Sequence, residues 1–271
     1  MLKTSYTEID NKQLRFFTLG KKENEVLVLL HGYPDNLQIW HKMAPLLAEN
    51  YFVIGFDWPG MGKSEEWKGG ATPLIMAKRL KKITDHFKIE KINILAQDMG
   101  AQAGLVFASI FPEQINSITV MNSLLMWNEK TSWEIELLCK FKFNEFVIRY
   151  IPKLVFWRAK HTFMKNVLVL DPQVENDLWD SFKKKEVREY IIRMCAAYGA
   201  QLKKLPDYYK NITCPVQLIW AENGKHFSIN HAHALKKICT QTKIISIKDA
   251  EHWMVLDKHV EISEHVLRPN L

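Results

Sequence analysis

The sequence predicts an α/β fold built on a doubly wound, mostly parallel sheet. Three observations predict it. The run VLVLL, Val26–Leu30, is apolar without alternation, as a strand buried on both faces must be. Similar short runs recur at Phe52–Phe56, 92–95 and Ile115–Met121, separated by segments with helical spacing. Several of these runs end in small-residue turns carrying histidine or carboxylate, where open α/β sheets place their sites.

Taken in order, Ser5–Ile9 and 14–18 read as opening strands, followed by Val26–Leu30. Leu37, Trp40, Met43 and Leu47 have helical spacing, which predicts one helix over 37–48. Phe52–Phe56 is the next strand. Thr72-Pro73 supplies a cap and a first-turn proline for a helix over 72–86. The strand 92–95 then runs into Ala96-Gln97-Asp98-Met99-Gly100 and an Ala/Gly-rich helical segment, and Ile115–Met121 is a sixth strand. The alternation stops at this point. Residues 123–212 carry aromatic and basic residues at helical spacing without a convincing buried strand. Strand-like 216–220, a helix at 230–239, strand-like 243–247 and a helix after His252 complete the pattern. The expected organisation is an eight-stranded core from 1–122 and 213–271, with a helical cap, 123–212, inserted after the sixth strand.

A chain of 271 residues with 47% hydrophobic and 25% charged residues can bury a large single core, and disorder is not expected. The net charge is +7, and the insertion holds 16 Lys/Arg against 11 Asp/Glu. This charge raises nucleic acid or an anionic membrane as partners. It is not gathered in one tract, and Lys183-Lys184-Lys185 and Lys203-Lys204 read as solvated helix faces, so no nucleic-acid partner is expected. The stretch Lys153-Leu154-Val155-Phe156-Trp157-Arg158-Ala159-Lys160 mixes basic and aromatic residues as interfacial helices do. The preferred reading is a cap helix covering the site with a basic outer face. Cys139, Cys195, Cys214 and Cys239 form no C-x-x-C pair and read as reduced thiols, which suits a cytoplasmic protein. The opening MLKTSYTEID lacks an apolar signal core.

Four motifs fall at predicted strand ends: His31-Gly32-Tyr33-Pro34, Asp57-Trp58-Pro59-Gly60-Met61-Gly62-Lys63-Ser64, Ala96-Gln97-Asp98-Met99-Gly100 and Glu251-His252-Trp253. The third has the outline of a nucleophile elbow, a strained strand-to-helix turn that needs small flanking residues. Asp98 stands at its tip. Alone, Asp98 could be a helix N-cap. The second motif tempts towards a phosphate loop, but Asp57 stands where that loop wants glycine, so it reads as a structural turn. His226, His231 and His233 are spaced by two or more without a completing Cys or carboxylate set, and no metal or cofactor is expected.

Together the four motifs resemble the α/β-hydrolase superfamily, in the branch with an aspartate nucleophile that includes epoxide hydrolases, haloalkane dehalogenases and fluoroacetate dehalogenases. The resemblance spans nearly the whole chain, with the insertion matching the family's cap. It implies Asp98 as nucleophile, His252 as base, and the backbone N–H groups of Tyr33 and Met99 as oxyanion hole. The usual elbow has Gly where this chain has Ala96. A carboxylate can displace at an sp³ carbon and leave an alkyl ester for water to hydrolyse. The resemblance thus implies an epoxide-hydrolase-like enzyme acting on a small or lipid-like apolar substrate. Halide or strained-lactone chemistry by the same mechanism is the alternative.

This chain departs from the family at the third triad member. One expected position holds Asn122 and the other Gly224, in Ala221-Glu222-Asn223-Gly224. Asn122 is therefore the expected histidine partner, with Glu222 as a possible substitute. An amide orients an imidazole but supplies no charge. A non-hydrolytic ligand-binding homologue is accordingly a second class of reading. The halide-binding Trp and Asn of haloalkane dehalogenases are replaced by Met99 and Tyr33, and the fluoroacetate dehalogenase arginine positions by Met99 and Gln102. Cap tyrosines that donate to an epoxide oxygen would correspond to Tyr198, with Tyr150 or Tyr190 as the second.

Overall fold

The computed structural model describes residues 1–133, 136, 143–166 and 170–268, and side chains 143, 144 and 198 lie outside that description. Eight strands form one sheet: β1 Ser5–Ile9, β2 Lys12–Leu19, β3 Val26–Leu30, β4 Phe52–Phe56, β5 Ile92–Gln97, β6 Ile115–Met121, β7 Val216–Ala221 and β8 Thr242–Ile247. Their spatial order is β1-β2-β4-β3-β5-β6-β7-β8. The first two pairings are antiparallel and the rest parallel. The strands placed at the centre are those whose sequences do not alternate. β5 and β7 are buried at every position, and β3 at all but its first.

Register decides where the chain ends meet. Leu30 of β3 lies beside Ala96 of β5, and Gln97 beside Met121 of β6. Met121 in turn pairs with Ile219 of β7, and Ala221 with Ile247 of β8. The loops beginning at His31, Asp98, Asn122 and Glu222 therefore open at one edge of the sheet. The helices α1 Met43–Leu47, α2 Pro73–His86 and α3 Asp98–Ile110 follow β-strands, as do α9 Asn230–Ile238 and the terminal α10 Met254–Asp257 and α11 His259–Leu267. α2 packs on α3 and α1 on α11, giving two helical layers. α3 is buried all round from Met99 to Ala108, which suits its Ala/Gly-rich, nearly uncharged sequence.

The expected single helix at 37–48 is two pieces, a 3₁₀ turn Leu37–Trp40 and the short α1. Polar caps outcompete helix continuation here. Asn36 Oδ1 accepts from the Gln38 N–H, and Asp57 Oδ1 accepts from the Leu37 N–H at 2.8 Å. The Asp57–Ser64 turn is structural: Asp57 Oδ2 accepts from the Lys63 N–H and Ser64 Oγ donates to the Asp57 carbonyl.

Between β6 and β7 lie α4 Phe143–Tyr150, α5 Pro152–Phe163, α6 Pro172–Phe182, α7 Lys185–Leu202 and α8 Leu205–Tyr209. This insertion is bolted to the core by buried charge. Arg15, on β2, donates to both Asp177 oxygens at 2.8 and 3.1 Å and reaches Asp57 Oδ2 at 3.4 Å. Asn36 adds a bond to Asp177 Oδ2 at 2.9 Å, and Lys63 pairs with the same carboxylate. Burial alone would raise the Asp177 carboxyl, but the Arg15 and Lys63 hydrogen bonds outweigh it and hold the group below its ordinary value.

Removing one partner of such a group strands the other in a low dielectric. Asp177→Ala is expected to cost about 3–5 kcal/mol in denaturant unfolding at neutral pH. Removing the exposed Arg193–Glu66 pair, half open to solvent on both sides, is expected to cost less than about 1 kcal/mol.

Candidate active site

The site begins with a close approach. A Cβ on Gly32 would sit 2.3 Å from the Asp98 Cβ, and one on Gly100 would sit 2.6 Å from the carbonyl oxygens of Leu30 and His31. Only glycine lets the β3 loop and the start of α3 come this near. Asp98 itself has φ 51°, a left-handed conformation that a non-glycine residue adopts only when its surroundings enforce it. Gln97, not Asp98, occupies the helix N-cap position.

The oxygens of the Asp98 carboxyl have different surroundings. Oδ1 accepts from the Tyr33 N–H at 3.0 Å. The Met99 N–H also hydrogen-bonds the carboxyl. Oδ2 lies 3.5 Å from His252 Nε2. Burial pushes the carboxyl up to about 6, against the two backbone donors that lower it. The Tyr33 N–H is aimed by His31. That ring accepts from the Trp58 N–H at Nε2 (3.1 Å), so Nδ1 carries the proton and donates to the Gly32 carbonyl at 2.8 Å. Holding the Gly32 carbonyl turns the same peptide's N–H, that of Tyr33, towards Asp98.

His252 is buried, and burial followed by the neighbouring His226 holds its imidazole well below the ordinary value. Phe163 of α5 stands edge-on to it at 4.7 Å, Phe227 at 5.2 Å, and the His226 ring lies 5.8 Å away. The Trp253 N–H donates to the Phe163 carbonyl at 2.7 Å, so the end of a cap helix is tied to the residue after His252.

Asn122 does not take the expected place on the ring. Its Nδ2 donates to the backbone carbonyls of Glu251 and His252 at 3.1 and 3.2 Å, and its Oδ1 accepts from the Ala221 N–H at 3.0 Å. With φ 31° and both ends of its amide engaged, it holds the histidine loop by its backbone. Glu222 is exposed and does not substitute. Among the described residues nothing hydrogen-bonds His252 Nδ1.

Two of the cap tyrosines also differ from expectation. Tyr190 is buried under Gly60, and its hydroxyl is bonded to Arg79 Nη1 at 2.8 Å. Tyr150 is 66% exposed and stacks on Phe146 at the outer surface of the cap. Neither faces Asp98, because helical phase turns one towards the core loops and the other to solvent. The side chain of Tyr198 lies outside the described ones. Gln102 is buried and donates to the Leu124 carbonyl.

Two groups at the site were not singled out from sequence. The Tyr33 ring packs against Phe182 of α6 at 6.2 Å, with a buried hydroxyl that makes no hydrogen bond among the described residues. Burial raises its phenol well above the ordinary value, with Cys195, Asp98 and Asp35 adding to the rise. Asp35 is a second buried carboxyl, accepting from Gln97 Nε2 at 2.6 Å. Burial first, and Asp98 second, push it well above the carboxylate range. Its signal was present in sequence as an acid two residues after Tyr33 in a strand-end loop.

Comparison with known proteins agrees with this architecture. The chain is 22% identical over 263 residues to an uncharacterized hydrolase (YugF) of Bacillus subtilis, covering 89% of this chain and 88% of that one. It is 31% identical over 100 residues to a soluble epoxide hydrolase of a Corynebacterium, covering 37% of this chain and 34% of that one. The haloalkane dehalogenase DbeA of Bradyrhizobium elkani superposes with a TM-score of 0.84 at 17% identity, over 97% of this chain and 96% of the other. A model of the alpha/beta hydrolase fold matches residues 25–259. The chain belongs to the α/β-hydrolase fold family.

Proposed function

We propose that this hydrolase works through Asp98 as nucleophile, with epoxide-hydrolase-like chemistry on an apolar substrate. The observation that carries the reading is the setting of the Asp98 carboxylate: it is bonded by the backbone N–H groups of Tyr33 (to Oδ1) and Met99, and its Oδ2 lies 3.5 Å from an imidazole. A helix cap needs no such arrangement. A carboxylate nucleophile does. Oδ2 attacks an sp³ carbon, the carbon–oxygen bond of the ring breaks, and the released oxygen takes up a proton. The Tyr33 phenol, whose buried hydroxyl makes no hydrogen bond among the described residues, is the proposed donor. His252, neutral at pH 7, then takes a proton from water, which attacks the ester carbonyl carbon. The negative charge develops on Oδ1, against the N–H groups of Tyr33 and Met99. Collapse expels an alkoxide, which takes the proton from the His252 imidazolium, and the proton of the new carboxylic acid returns through solvent to the Tyr33 phenolate, restoring the Asp98 carboxylate with one oxygen from water. Haloalkane dehalogenation needs the same steps, and the apolar lining from Phe163, Phe182 and Phe227 suits either substrate class.

The unpartnered Nδ1 of His252 bears on the second half-reaction. Among the described residues nothing acidic is bonded to Nδ1 to steady the imidazolium that forms as water is deprotonated, so ester hydrolysis is the expected slow step. The same observation favours, as a second reading, a homologue that binds ligands without turning them over.

Intact-mass spectrometry across epoxides and alkyl halides is expected to show an ester on Asp98 accumulating during turnover of the native protein and absent from Asp98→Asn. Single turnover in ¹⁸O-water is expected to place the label in the peptide containing Asp98. A panel that yields no adduct with the native protein points to the binding reading. Adduct formation is expected to rise with pH, half-maximal near 6, because the carboxyl raised to about 6 must ionise before it attacks. A flat profile from pH 5 to 8, measured by quenched-flow mass spectrometry (roughly the span an imidazole or raised carboxyl would cover), contradicts that assignment. Asn122→Asp is expected to leave ester hydrolysis no faster and to destabilise by about 1–3 kcal/mol. The new carboxylate would face two carbonyl oxygens instead of donating to them, which thermal unfolding with single-turnover kinetics would register.

A further inference from the structure

Six of the nine exposed large apolar side chains among the described residues fall between Trp133 and Trp157: Trp133, Phe146, Tyr150, Ile151, Leu154 and Trp157, each 41–66% exposed. They are not scattered. Phe146 and Tyr150 are one turn apart on α4, with ring centroids 5.1 Å apart. Ile151 joins α4 to α5. Leu154, Trp157, Arg158 and His161 then follow at i, i+3, i+4 and i+7, a single outward stripe of α5, while Phe156, Ala159 and Phe163 form its buried face. Exposed apolar residues gathered in this way on two successive helices mark a contact surface.

The charge around the stripe says what it contacts. α5 contains Lys153, Arg158 and Lys160 and no Asp or Glu. Lys160 is turned to Glu175, and Lys153 and Arg158 are solvent-exposed on the same helix as Leu154 and Trp157. Arg158 lies over the Trp133 ring at 5.7 Å, and His161 stacks on Trp157 at 4.4 Å. Trp, Tyr, Leu and Ile flanked by cationic heads are the composition of a surface that enters the headgroup layer of an anionic bilayer. A second copy of this chain meeting the same face across a two-fold axis would instead set Lys153 and Arg158 against their own like charges.

We propose that the outer face of α4 and α5 is a membrane-docking surface for anionic phospholipid, which holds the cap at a lipid–water boundary. The sequence alone favoured a merely basic outer face. The structure shows apolar and aromatic side chains exposed there beside the cations. The surface also lies on the reverse of the helix whose inner face, through Phe163, touches His252. Docking there would set the roof of the site against the phase in which an apolar substrate dissolves.

The experiment is co-sedimentation with phosphatidylcholine vesicles, with and without phosphatidylglycerol, together with tryptophan emission. The native protein is expected to bind only the anionic vesicles and to show blue-shifted emission. Lys153→Gln/Arg158→Gln is expected to weaken binding about thirtyfold, and Leu154→Glu/Trp157→Glu to abolish it with the fold intact by circular dichroism. Because binding needs no turnover, Asp98→Asn is expected to bind as the native protein does, so the proposal stands or falls apart from the catalytic reading. Absence of binding to anionic vesicles, equal binding by the Leu154→Glu/Trp157→Glu variant, or a native dimer in light scattering that this variant dissociates would overturn it.

Discussion

The hydrogen bond from the Tyr33 N–H to Asp98 Oδ1, 3.0 Å long, is the contact on which the rest of the site depends. It joins segments 65 residues apart and requires the β3 loop and the start of α3 to approach until neither Gly32 nor Gly100 can carry a side chain. That approach is possible because β3 and β5 are neighbours in parallel register, with Leu30 beside Ala96. The left-handed backbone at Asp98 costs roughly 1–3 kcal/mol. It is held by the buried strand on one side and a wholly buried helix on the other. The parallel core is therefore the anvil against which one strained residue is kept in place.

Electrostatics follow from the same burial. Four titratable side chains, Asp35, Asp98, His226 and His252, crowd a region with little water. Solvation is too poor for all of them to be charged at once. Burial and the nearby Asp98 raise the Asp35 carboxyl well above its ordinary range, burial raises Asp98 to about 6, and burial with His226 pushes His252 down. All three shifts disfavour the charged form, so each charge in this region must be held by specific partners, as the Asp98 carboxylate is by the Tyr33 and Met99 N–H groups.

The sheet, the insertion and the Asp98–His252 pair were legible because each is written in local pattern: unbroken apolar runs, helical spacing, small residues around a carboxylate. The partner of His252 was not. Position 122 in the chain says that an amide stands where an acid often does. Only the register of β6 against β7 shows that its oxygen is taken by the Ala221 N–H and its nitrogen by two carbonyls. Tyr150 and Tyr190 were misplaced for a related reason. Spacing does not tell them apart, and their directions depend on how cap helices rotate against the core. Asp177 was equally silent, since its partners Arg15 and Lys63 lie more than a hundred residues away.

The cap's attachment gives α5 a particular mechanical position. Its outward residues Leu154, Trp157 and His161 and its inward residues Phe156 and Phe163 lie within twelve residues of one rigid rod. The end of that rod is bonded through the Phe163 carbonyl to the Trp253 N–H, next to His252. α6, which carries Phe182 over Tyr33, is clamped by Asp177 to Arg15 and cannot easily follow. α5 is in turn held to α6 by the Lys160–Glu175 pair and by Phe156 against Trp179 and Phe182. Through these contacts the helix that presents Leu154 and Trp157 outward is joined both to the fixed α6 and to the loop that carries the histidine.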